Sequence, residues 1–135
     1  MSALFRKVDC LSLPVDDLDQ ALAFYRDALG HTLVWRDARA AGLRLPDSEA
    51  ELVLHLDPRP AETDLLVNSV PEAIARITAA GGRLLHGPFA IRIGLCAVLA
   101  DPWQNPLVIL DASAGLLRAD AAGNIIGRQN DPPPH

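Results

Sequence analysis

Apolar and polar positions along this chain fall into a pattern that occurs twice. Val8 to Val15 reads as a strand, and Asp17 then opens a helix in which Leu18, Ala21, Leu22, Tyr25 and Leu29 recur at helical spacing before Gly30 closes it. Shifted by 52 residues, Leu65-Leu66-Val67 ends a strand, Ser69 takes the place of Asp17, and Val70, Ala73, Ile74 and Ile77 repeat the stripe up to Gly82. Both helix starts read as capping boxes, Asp17 with Gln20 and Ser69 with Glu72, and Pro71 stands where a missing N–H costs little. Short β-like runs follow each helix: His31 to Arg36, Ala41 to Leu45 and Glu51 to Leu56, then Arg83 to Leu85, Leu95 to Ala100 and Pro106 to Leu110.

Each half therefore reads strand, helix, three strands, which is a duplication. The predicted fold class is α+β, two βαβββ modules over residues 5–57 and 61–112, with the Pro-rich stretch 58–60 as linker. One helix covers one face of each small sheet, so the two uncovered faces are expected to form a shared cleft. Residues 113–128 read as a C-terminal hairpin turning through Asp120 to Asn124, and 129–135, with three successive prolines, as a disordered tail.

Composition narrows the functional classes. At 135 residues and 50% apolar content the chain suits one domain, and its net charge of −5 with scattered arginines argues against a nucleic-acid partner. No apolar run is long enough to cross a membrane, and the N-terminus does not read as a secretory signal, so the expected localisation is cytoplasmic. Cys10 and Cys96 are then expected as free thiols. Aromatic content of 4% leaves a core of Leu, Val, Ile and Ala. Edge strands, and an apolar hairpin from Leu116 to Ile126 with no obvious core of its own, predict a homodimer. Phosphate loops, HExxH helices and serine nucleophile elbows are absent from the sequence.

The stretches Leu13-Pro-Val-Asp-Asp-Leu18, Ala23-Phe-Tyr-Arg-Asp-Ala-Leu-Gly30 and Asp101-Pro-Trp-Gln-Asn105 resemble the vicinal oxygen chelate superfamily, which includes glyoxalase I, extradiol dioxygenases and the bleomycin and fosfomycin resistance proteins. That resemblance implies a metal held in the cleft by one ligand from the first and one from the last strand of each module. The matching positions here are Cys10, His55, Glu62 and Val108. Val108 has no lone pair, so the four-ligand set is incomplete; Cys10, His55 and Glu62 remain as fallback ligands for a divalent ion such as Zn²⁺. No cofactor is therefore expected, with a divalent metal as the alternative. Gln104 stands where the family turn carries Gly, so either Gln104 is strained or Asn105 absorbs the conformation.

The pleat places Cys10, Ser12, His55, Glu62 and Val108 on the face opposite the leucines under the helices, and these are the expected ligand contacts. His86, in a loop with Pro88 and Phe89, and Arg92 are expected rim contacts for an anion. Trp103 is expected to anchor its turn by packing. Two functions follow from the resemblance. One is a metal-independent binding protein for a small-molecule ligand, like the bleomycin resistance branch. The other is a metal-dependent lyase or isomerase of glyoxalase type, in which Glu62, a carboxyl with a raised pKa in an apolar cleft, or His55 is the catalytic proton-transfer group.

Overall fold

The apolar alternation of the first half becomes, in the computed structural model, a ladder of four strands with one helix on its apolar face. The structure describes residues 2–115 and 117–128. In chain order the elements are β1 (Lys7–Pro14), α1 (Leu18–Leu22), β2 (Leu33–Arg36), β3 (Ala40–Arg44), β4 (Glu51–His55), β5 (Glu62–Leu66), α2 (Val70–Ala79), β6 (Arg83–Ile91), β7 (Gly94–Ala100), β8 (Pro106–Leu110), β9 (Leu117–Ala119) and β10 (Ile125–Arg128). This is an α+β fold in which strand, helix and three strands occur twice. The chain divides into two compact units, one from the described parts of 1–8, 64–117 and 128–135, the other from 9–63 and 118–127.

In the unit built on residues 9–63, β1 runs parallel to β4, and β4, β3 and β2 follow antiparallel. Leu18, Ala21 and Leu22 of α1 pack with Ala41, Leu43, Leu52 and Leu54 into its core. Asp17 accepts from the Gln20 backbone N–H at 2.8 Å, so the predicted cap forms. Beyond Leu22 the helix widens into a π-helical segment, Ala23–Ala28, where the Leu29 N–H donates to the Phe24 carbonyl. The wider turn moves side chains off the 3.6-residue stripe. Leu29, expected in that stripe, is consequently 53% exposed.

In the other unit, β5 runs parallel to β8, and β7 and β6 follow antiparallel. Val70, Ala73 and Ile77 of α2 bury against Val67, Ala97, Leu99 and Ile109. Ser69 caps α2 through the Glu72 N–H, and Gly81 at φ +110° follows its end, one residue before the glycine expected to stop it. Asp111 is fully buried at the end of β8, where its carboxylate accepts from the backbone N–H groups of Val70 (2.8 Å), Leu95 (3.0 Å) and Ser113 (3.2 Å) and from the Ser113 hydroxyl (2.7 Å). One carboxylate thus joins the α2 start, the β7 start and the end of β8.

Two expectations, at His86 and at Trp103, need correction, and the alternative left open at Gln104 is decided. His86-Gly-Pro-Phe89 is not a loop, because β6 continues through it with two register irregularities opposite β7. Gln104 itself takes the left-handed conformation, at φ +69°, and Asn105 does not absorb it. Trp103 is 79% exposed and anchors nothing; Asp101 holds the turn instead, accepting from the N–H groups of Trp103 and Asn105 at 2.9 Å each. Strands β9 and β10 flank a turn in which Asp120 accepts from the Ala122 and Asn124 N–H groups. That turn is bonded to β2 of the same chain through Arg36, so the hairpin does not require a second subunit to receive it. The tail expected at 129–135 lies outside the described residues.

Candidate functional site

Leu52 and Leu54 face α1, so alternation turns Glu51, Val53 and His55 to the other side of β4. The ladder registers arrange that helix-free face in three rows. Cys10, Glu51 and Arg44 are level with one another, then Ser12, Val53 and Gly42, then Pro14, His55 and Ala40. Cys10, Ser12 and His55 are all buried, at 6%, 1% and 2% exposure. Both cysteines are free thiols.

His55 is the most unusual residue of this face. Neither imidazole nitrogen has a hydrogen-bond partner among the described residues, although the ring is buried. The Asp57 backbone lies close but outside hydrogen-bonding geometry. Burial, followed by the Arg59 guanidinium, pushes the His55 pKa down, and the carboxylates of Asp57 and Glu62 only partly oppose this. The ring is therefore neutral at pH 7, with one N–H donor and one bare nitrogen to offer. A buried group left in this state costs free energy unless something else supplies the partners.

Glu62 differs from its expected role. Its carboxylate accepts from Arg59 Nη1 at 2.6 Å, and Arg59 also lies 3.5 Å from Asp57, so Glu62 belongs to an ion-pair network rather than to an apolar pocket. Glu51 is a carboxyl whose pKa is raised. Burial raises it first, the hydrogen bond from Trp35 Nε1 at 2.7 Å opposes that, Asp9 raises it further and Arg44 lowers it. Sequence reasoning passed over Glu51 as a site residue. Its signal was available in the alternation that exposed His55, but the row it shares with Cys10 is set by strand register.

In the other unit, Asp64, Val108, Val98 and His86 form one row. Asp64 lies 52 residues after Ser12 and is level with Val108, whereas Ser12 is level with Val53. The registers thus align Val108 with Val53, not with His55. The constant offset fails there because the β6–β7 hairpin lengthens the second repeat. His86 is exposed and its ring sits 4.9 Å from that of Phe89. Arg92 lies in the β6–β7 turn, beyond the irregular part of β6 that carries His86.

The metal implied by the resemblance does not fit the donors present. Cys10 and His55 stand in rows four residues apart, about 13 Å along the strands, whereas ligands of one Zn²⁺ each lie within about 2.3 Å of it. Among the described residues no group of three or more His, Cys, Asp or Glu side chains is placed to hold an ion. The fallback trio Cys10, His55 and Glu62 therefore does not converge as a ligand set.

A family model described as a glyoxalase-like domain matches residues 10–110. No curated protein matches the sequence. Among solved structures, the chain is similar to methylmalonyl-CoA epimerase from Mycobacterium tuberculosis, with 21% identity over 82% of this chain and 91% of that one and a TM-score of 0.66. A hypothetical protein from Bacillus halodurans C-125 is 18% identical over 78% of this chain and 93% of that one, with a TM-score of 0.63. A variant of homoprotocatechuate 2,3-dioxygenase from B. fuscum is 23% identical over 82% of this chain, with a TM-score of 0.55, and this chain spans 35% of its length. At these identities the likeness is one of fold. The family match over most of the chain, on a duplicated βαβββ framework, makes this chain a member of the glyoxalase-like domain family within the vicinal oxygen chelate superfamily.

Proposed function

We propose that this protein binds a small organic molecule on the helix-free face of β1, β4 and β3, in the manner of the bleomycin resistance branch, with the metal site of its relatives degenerate. The observation that carries this reading is His55: a buried, neutral imidazole whose two nitrogens have no partner among the described residues is a polar anchor. Such anchors, set in apolar surroundings, give a pocket its orientation and specificity. Pro14, level with His55, and Val53 supply the apolar part here, Ser12 and Cys10 continue the same face, and Glu62 helps hold Arg59 beside the ring. Val108 stands in a row of its own unit, with Asp64, Val98 and His86. His86 lies on β6 and Arg92 in the turn that follows it.

A second reading is favoured by the chemistry of the same face. A neutral imidazole or a carboxyl of raised pKa is a group a proton-transfer enzyme uses near pH 7, so a glyoxalase-like lyase or isomerase would employ either His55 or Glu51, which stand in rows four residues apart. Methylmalonyl-CoA epimerase, one of the fold neighbours, is solved with methylmalonyl-CoA bound. We further propose a homodimer, through the exposed Leu84 and Leu85 of β6, and a cytoplasmic location, consistent with two free thiols. Among the described residues no helix is long and apolar enough to cross a membrane.

The deciding experiment is elemental analysis of protein purified without chelator, combined with NMR of the His55 ring nitrogens during a fragment screen. The expected result is no retained transition metal and fragments that shift the His55 signals. Near-stoichiometric Zn, Ni, Mn or Fe that survives dialysis and falls in His55→Ala would overturn the metal-independent reading in favour of the enzyme.

A further inference from the structure

Trp35, Gly42 and Glu51, on β2, β3 and β4, form an arrangement that the His55 anchor does not use. Trp35 is level with Gly42, and its indole lies directly over that residue: a Cβ added at Gly42 would come within 2.0 Å of Trp35 Nε1 and 2.5 Å of its Cε2. The missing side chain thus lets the indole lie across β3 and reach Glu51 one strand further, with Nε1 donating to Oε1 at 2.7 Å. The opposite face of the pyrrole ring is turned away from the sheet. Glu51 Oε1 accepts from the indole N–H, so the carboxylate stands at the edge of that ring.

We propose that Trp35 and Glu51 form a recognition pair for a flat organic cation, an aryl amidinium or an aminated heteroaromatic ring, on this face. The proposal rests on the small-molecule reading of the same face and names the ligand's chemical class. The π-face of an indole attracts cations, and a planar cation with two N–H donors matches a carboxylate. Local charge points the same way. Burial most of all, and then Asp9, disfavour ionised Glu51, while the Trp35 hydrogen bond and, least, the exposed Arg44 level with it on β3 oppose them without cancelling them. A cation bound beside Glu51 favours its ionised form further.

The chain has two tryptophans, and Trp103 is exposed on the turn before β8, so Trp103→Phe leaves Trp35 as the single tryptophan, excited selectively at the long-wavelength edge of its absorption. Benzamidine, benzamide and benzoate are nearly equal in shape and differ in charge. Titrated into Trp103→Phe, benzamidine is expected to change Trp35 emission saturably, with benzamide and benzoate binding at least about tenfold more weakly. Adding Glu51→Gln should remove the preference for benzamidine while a circular dichroism melt shows the fold intact. Equal response to all three probes, or a preference for benzoate, would overturn the cationic class while leaving small-molecule binding at this face standing. No response to any probe while fragments still shift His55 would overturn Trp35 and Glu51 as a recognition pair. If fragments shift neither His55 nor Trp35, the reading of the whole face falls with it.

Discussion

At the residue scale, His55 and Asp111 show two opposite treatments of a buried ionisable group. Asp111 receives four hydrogen bonds, and His55 receives none among the described residues. Burial alone would raise the Asp111 pKa, but the N–H groups of Val70, Leu95 and Ser113 and the Ser113 hydroxyl together bring it below its ordinary 3.8. A carboxyl with a lowered folded pKa contributes stability above its unfolded pKa and loses it as pH falls through the folded one. Urea melts should therefore show a loss of stability below about pH 4 that is blunted in Asp111→Asn. That variant should also be roughly 2 kcal/mol less stable at pH 7, since an amide places N–H against N–H. His55→Leu should behave in the opposite way. Removing two unpaired nitrogens should raise stability by about 1 kcal/mol in ligand-free protein and abolish fragment binding, and a thermal melt with and without fragment checks both.

Elements follow the sequence where local rules suffice and depart where a neighbour intervenes. Caps, stripes and strand alternation were legible because each depends on residues within one turn or one pleat. The π-helical segment after Leu22 was not, because a 3.6-residue period carries no sign of a wider turn until packing selects it. Gln104 gives the clearest test at this scale. Its φ of +69° is costly for a side-chain-bearing residue, and its hydrogen bond from Arg83 Nη2 is solvent-exposed. Gln104→Gly is expected to raise stability by about 0.5–1 kcal/mol, measured as an upward shift in Tm with unchanged circular dichroism. A fall in Tm would show that the Arg83 contact outweighs the backbone strain.

For the whole molecule, β6 is the last strand of its ladder and exposes Leu84 and Leu85 at 41% and 47%. An edge of this kind favours pairing with a second copy. Light scattering is expected to give twice 14.5 kDa, and Leu85→Lys to return the monomer mass. A concentration-independent mass of one chain in the unmodified protein would remove the dimer.

What the sequence determined by itself is the duplication: strand, capped helix and three strands recur because periodicity, caps and turns are local and are written twice. It also placed Cys10, Ser12 and His55 on one face, since the pleat alternates with period two. Tertiary structure alone decided which of those residues stand level. Register depends on loop lengths and on which apolar rows enter the core, and it separates Cys10 from His55 and brings Glu51 beside Cys10. It also decided the Trp35 contact with Glu51, because that bond spans three strands and requires a gap at Gly42 that no short-range pattern records.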